Sequence, residues 1–219
     1  MARRSRRPPT GVARPGEYFE SGIQYYVAGR HAFNCAHYPP VTANLFHLGF
    51  EIMFKTSVVT DLYRTHEPGW RPPHNAAARQ AAVVRYALAC DAELRTIGHR
   101  LGVAWSRFKT NHRTASLGAF DQVVSGLDVW RSLRYPDVPL GPGIAMTTAP
   151  EKSALPTVTG PGGLPMTVYH LCLEELDELF AAVAPLEFST AALRSSIAGR
   201  TVPDLGLDAY KKGNKHPVL

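Results

Sequence analysis

Cysteine is scarce and dispersed. Cys35, Cys90 and Cys172 are the only three in 219 residues, and no two are closely spaced. That excludes a disulfide framework and a four-thiolate zinc site, and it points to a reducing compartment. No long apolar run is uninterrupted. The richest, Leu45 to Val59, is broken by His47, Glu51 and Lys55, groups that are costly to place in lipid, so no membrane span is expected. Arg3, Arg4, Arg6 and Arg7 are followed by prolines and glycines and not by an apolar stretch, which rules against a secretory signal; the expected location is cytoplasmic. The Gly160-Pro161-Gly162-Gly163 run lacks the lysine and serine of a phosphate loop, and no serine nucleophile elbow or helical HExxH motif occurs. His31, Cys35 and His37 do not share one helical face and no second cluster adds ligands, so neither a metal nor another cofactor is expected.

Acid is missing from the N-terminus, where Arg3, Arg4, Arg6, Arg7 and Arg14 precede the first carboxylate, Glu17. Lys211, Lys212 and Lys215, offset by Asp208, add two more positive charges at the other end, so of the net charge of +6 the body of the chain carries only −1. Any general attraction for phosphate therefore resides in the two ends.

What the chain does have is apolar residues, 45% of the total, arranged with helical spacing. Phe19, Ile23, Tyr26 and Phe33 define one face of a helix from residue 17 to about 37, ended by Pro39 and Pro40. A second helix over 41–63 is apolar almost all round and belongs at the centre of a bundle. A third, alanine-rich helix over 75–96 is interrupted at Gly98, and Leu101, Trp105 and Phe108 continue its packed surface. A fourth spans 117–134 and closes at Pro136. Val168, Leu171, Cys172, Leu176, Leu179 and Val183 form the apolar stripe of a later amphipathic helix, with Glu174, Glu175, Asp177 and Glu178 opposite.

The expected fold is all-α, an up-and-down helical bundle of four to five helices with a C-terminal extension. The expected organisation is a basic tail over 1–16, the bundle over 17–137, and a Pro/Gly-rich connector over 138–165 whose pieces 143–149 and 155–159 form a short hairpin. A helical extension over 166–200, with a short helix over 189–199, and a weakly structured tail over 201–219 complete it.

His47, Glu51 and Lys55 are spaced by four on the apolar second helix and so point the same way. One reading is structural: Glu51 pairs with Lys55, or with Arg30 on the first helix, because buried charge must be paired. The other joins the seam to His99 and Arg134 as an anion-binding cleft. There His99 sits at the N-terminus of a renewed helix, and Arg134-Tyr135 grips a phosphate and stacks a base or simply caps helical carbonyls.

Four segments, taken together, resemble HEPN domains. They are Tyr25-Tyr26-Val27-Ala28-Gly29-Arg30; Asn44-Leu45-Phe46-His47 with Glu51 and Lys55; Gly98-His99-Arg100-Leu101 with Trp105 and Phe108; and Leu133-Arg134-Tyr135-Pro136-Asp137. The resemblance covers about residues 17–137. It implies a small helical bundle of the kind found beside nucleotidyltransferases or in defence systems. Ribonucleolytic members of that family carry an arginine, usually a polar residue next to it, and a histidine about four to six positions beyond that residue, the arginine to stabilise phosphate charge and the histidine to move a proton. Arg30 with His37 and Arg107 with His112 have that spacing; the first pair lies on the first helix, and the second has Phe108 where the pattern has a polar residue.

The resemblance thus implies a nucleotide- or RNA-associated protein and, in its sharper form, a metal-independent ribonuclease working as a homodimer. The implied partners are RNA or a nucleotide, a second copy, and a separately encoded protein. The competing reading is a non-catalytic helical interaction or oligomerisation module. Geometry distinguishes them: arginine–histidine pairs that converge on a cleft favour the enzyme, and separately satisfied pairs favour the module.

Overall fold

The computed structural model describes residues 14–35, 39–66, 76–113, 115–131, 144–155, 160 and 167–188. Among them the architecture is a helical bundle, with α1 (Pro15–Asn34), α2 (Pro39–His66), α3 (Ala76–Ile97), α4 (Leu101–His112), α5 (Asp121–Trp130) and α6 (Leu173–Glu187). A single two-stranded sheet of β1 (Ile144–Ala149) and β2 (Thr167–Cys172) is added to it.

Pro15 opens α1, where a missing N–H costs nothing, and the Glu17 carboxylate accepts the Arg14 backbone N–H at 3.0 Å. Pro39 and Pro40, expected to close the first helix, instead lie in the first turn of α2, which proline tolerates for the same reason. At 28 residues α2 is about 42 Å long. It packs against every other helix, as its nearly all-round apolar sequence demands.

The closest helix contact is between α1 and α2. A Cβ built at Gly22 would lie 2.7 Å from Met53 Cγ and 2.9 Å from the Gly49 carbonyl oxygen, and one at Gly49 would lie 2.9 Å from the Tyr26 nitrogen. The two glycines let the backbones touch, which brings Tyr26 edge-on to Phe46 and Phe50.

α3 ends at Gly98, whose φ of +60° is left-handed and whose N–H donates to the Leu94 carbonyl at 2.9 Å. The chain turns there and restarts as α4, so Leu101, Trp105 and Phe108 reach the same core as Phe54.

The C-terminal part differs from the expected pattern in two ways. Residues 144–149 pair in parallel with 167–172, Ile144 opposite Thr167 through Ala149 opposite Cys172, which is not a hairpin; residues 156–159 lie outside the described ones. Val168, Leu171 and Cys172 are therefore in a strand, and the helix begins at Leu173. Val168 and Tyr169 suit a pleated surface, and Trp130 Nε1 donates to the His170 carbonyl oxygen, tying β2 to α5.

From Leu173 onward the amphipathic stripe is as expected, with Leu176, Leu179, Phe180 and Val183 buried in the same core as α1 and α2. Phe180 stacks on Tyr26 with ring centroids 4.1 Å apart. The short helix expected over 189–199 lies outside the described residues.

Candidate functional site

A buried polar seam crosses the bundle where α2 meets the α3–α4 corner and α5. Its centre is Glu51, only 4% exposed. Lys55, one turn along α2, brings its Nζ to 2.5 Å from Glu51 Oε1, and His99 Nδ1 lies 3.0 Å from the same oxygen. Pairing satisfies the charge, as burial requires.

His47, one turn before Glu51, is the seam's second arm. Burial holds its imidazole below the ordinary value, a trend partly opposed by the hydrogen bond to Asp128. The neutral ring places Nε2 3.1 Å from Asp128 Oδ1, the geometry of an Nε2–H donating to a carboxylate. Its Nδ1 is 3.7 Å from Glu51 Oε2, too far for a hydrogen bond. Tyr18 adjoins the seam, and its phenol is pushed up to about 12 by burial first, then by the charges of Glu51 and Cys90.

The corner itself is fastened to α5. The Leu101 backbone N–H points at Asp128 Oδ1 at 3.4 Å, and the Arg131 guanidinium donates to the His99 carbonyl at 2.8 Å. At the N-terminus of α4, where one reading of the sequence places an anion-binding cleft, the Leu101 N–H meets a carboxylate of the chain itself. His99 protrudes with 69% of its side chain exposed.

The other expected site residues do not join this seam. Arg30 is 1% exposed and pairs with Asp177 on α6, which also accepts the Tyr26 hydroxyl. The pairing of Arg30 with Glu51 is therefore replaced by one to a residue read as solvent-facing. His112 Nε2 is 2.8 Å from Glu187 Oε1, and Thr60 donates to Glu187 Oε2 at 2.9 Å, which fixes the end of α6 to α2 and α4. Arg107 is 4.0 Å from Glu93 across the α3–α4 surface. Five positions separate it from His112, so the two point about 140° apart around α4. His37, Arg134 and Tyr135 lie outside the described residues.

Asp128, Asp177 and Glu187 are the residues that sequence reading missed. The available signal was charge balance. An arginine on an apolar helix face needs a carboxylate, and α6 carries the nearest surplus of them.

Two clefts lie away from the seam. One of about 310 Å³ is bounded by α5, β2 and the start of α6, with Gln122, His170 and Glu175 among its lining. The other, about 140 Å³ and polar, surrounds His112, Glu187 and Arg64. No described helix is long and apolar enough to cross a membrane.

Fold and seam together define an all-α bundle with a buried ionic core that reaches the surface at one histidine. Compared with protein-family models, with curated proteins and with solved structures, the chain matches none.

Proposed function

We propose that this chain is a HEPN-like helical module that acts by binding and not by cutting RNA. The observation that carries the reading is the separate placement of the described arginine and histidine candidates, each beside a different carboxylate. Arg30 is matched to Asp177, Arg107 to Glu93 and His112 to Glu187, on different faces of the bundle. A phosphodiester-cleaving site needs both groups within reach of one phosphate. The HEPN-like part is supported by the way distant segments meet: Glu51 of one, paired with Lys55, also meets His99 of another at the α3–α4 turn.

Incubation of the full chain with labelled single-stranded RNA in the absence of metal tests this reading. The expected result is intact RNA with wild type, His37→Ala and His112→Ala alike. Cleavage by wild type that vanishes in either variant, with the helical circular dichroism unchanged, overturns it and restores the ribonuclease.

The ligand class favoured for the module is phosphate-bearing, RNA or a nucleotide, because Arg95, His99, Arg100 and Arg131 gather at the α3–α4 corner and the N-terminus adds further arginines. Anisotropy of a labelled RNA should report binding that weakens with salt and with removal of residues 1–14. Absence of binding at low salt excludes that ligand class and leaves a protein partner or a second copy of the chain.

A further inference from the structure

Glu51 and His99 form a carboxylate–imidazole pair of unequal exposure, the acid 4% exposed and the base 69%. A carboxylate at Nδ1 fixes the tautomer: Nδ1 keeps the proton and donates it, so the Nε2 lone pair is left unprotonated in the neutral ring. Nε2 has no protein partner among the described residues.

The ring's base is rigidly placed. Gly98 turns the chain in a left-handed conformation, the His99 carbonyl accepts Arg131, and the next N–H but one, of Leu101, is held by Asp128. Arg100, the next residue, is anchored on the Thr96 and Ile97 carbonyls and adds a second guanidinium to this corner.

His99 lines neither of the two clefts. A fixed, outward nucleophile of this kind suits a group that receives a unit from a donor presented to it from outside. It does not suit chemistry on a substrate enclosed by this chain.

We propose that His99 Nε2 is a phosphoryl acceptor, charged by an activated donor of the phosphoramidate or acyl-phosphate class. With phosphoramidate, the Nε2 lone pair forms the new N–P bond as the donor's P–N bond breaks, and the already protonated amine leaves as ammonia with that bond's electron pair. With an acyl phosphate the P–O bond to the acyl group breaks instead and the carboxylate leaves with its electron pair; in neither case is anything oxidised or reduced. The ring keeps its Nδ1 proton and becomes cationic, and Glu51 balances that charge across the 3.0 Å hydrogen bond. Arg100 and Arg131 supply positive charge beside the incoming dianion. Glu51 is here a positioning residue, acting through His99. The proposal is independent of whether RNA is bound.

The test uses the full chain with phosphoramidate, and in a parallel arm with acetyl phosphate. Intact mass reports a single added phosphoryl group that is lost in acid, and fragmentation locates it. His66, at the C-terminal end of α2 beside Tyr86, serves as reference within the same molecule. His99 is expected to label on the order of tenfold faster than His66, Glu51→Gln to remove most of that advantage, and His99→Ala to abolish the fast phase. Labelling of His99 no faster than His66 in the wild-type chain overturns the proposal whether or not Glu51→Gln folds. So does a folded Glu51→Gln that keeps the full rate.

Discussion

The seam around Glu51 and the contacts that hold α6 use the same chemistry for different ends. In both, carboxylates partly or wholly withdrawn from solvent meet basic side chains. At α6 the circuits are closed: Asp177 meets Arg30 and the Tyr26 hydroxyl, and Glu187 meets His112 and Thr60, all within the protein. At Glu51 the circuit is open. Lys55 closes one side, and the other ends on an imidazole that stands in solvent. Residue type alone does not separate a lock from a site; the difference is whether one member of the network keeps an unused atom facing outward.

The comparison breaks most visibly at α6. Asp177→Ala leaves Arg30 buried without a counter-charge and should cost about 3–5 kcal/mol in denaturant unfolding, enough to unfold a marginal bundle. A loss under about 1 kcal/mol means that the Arg30 pair is open to solvent.

Lys55→Ala should cost nearly as much, about 3 kcal/mol, because Glu51 then keeps only an exposed partner. Replacing both residues together, Glu51→Gln with Lys55→Met, should recover part of that loss. A double-mutant cycle with no coupling contradicts a closed Glu51–Lys55 contact.

Gly49→Ala drives a methyl against the α1 backbone and should destabilise by about 2 kcal/mol through overpacking. Thermal melting of this variant beside Gly102→Ala, where nothing lies within 4 Å, provides the contrast.

The smallest effect is on pH. Burial lowers the His47 and His31 imidazoles from the ordinary value of 6.5. The unfolded chain then binds more protons than the folded one as pH falls through that value, so stability is present above it and lost below it. His47→Gln should flatten, but not abolish, the fall in melting temperature on going from neutral pH to about pH 5.5. An unchanged slope means that His47 is not buried neutral.

Much of the fold was legible because its signals are local and periodic. The nearly all-apolar span from Leu45 to Val59 could only be central, and three polar residues on it at intervals of four had to form a seam. Gly98 could be read as a corner because the apolar series runs on beyond it. Lys55 and His99 were legible as members of the seam; the carboxylates that meet His47 and Arg30 were not. Asp128 is 77 positions from Glu51, and Asp177 sits among acids that looked like a solvated face. No periodicity encodes which carboxylate reaches which arginine across a bundle. The strand at 167–172 was hidden for a related reason: Val168, Leu171 and Cys172 also fit a helical stripe, and only pairing with β1 makes them extended.

Among the described residues His47, His99 and His112 meet carboxylates through different atoms. His47 and His112 use Nε2 toward Asp128 and Glu187, whereas His99 uses Nδ1 toward Glu51. Long-range proton–nitrogen spectra of the imidazoles in the full-length chain read this directly. An Nε2–H tautomer is expected for His47 and His112 and an Nδ1–H tautomer for His99. His99 carrying its proton on Nε2 contradicts the open end of the seam.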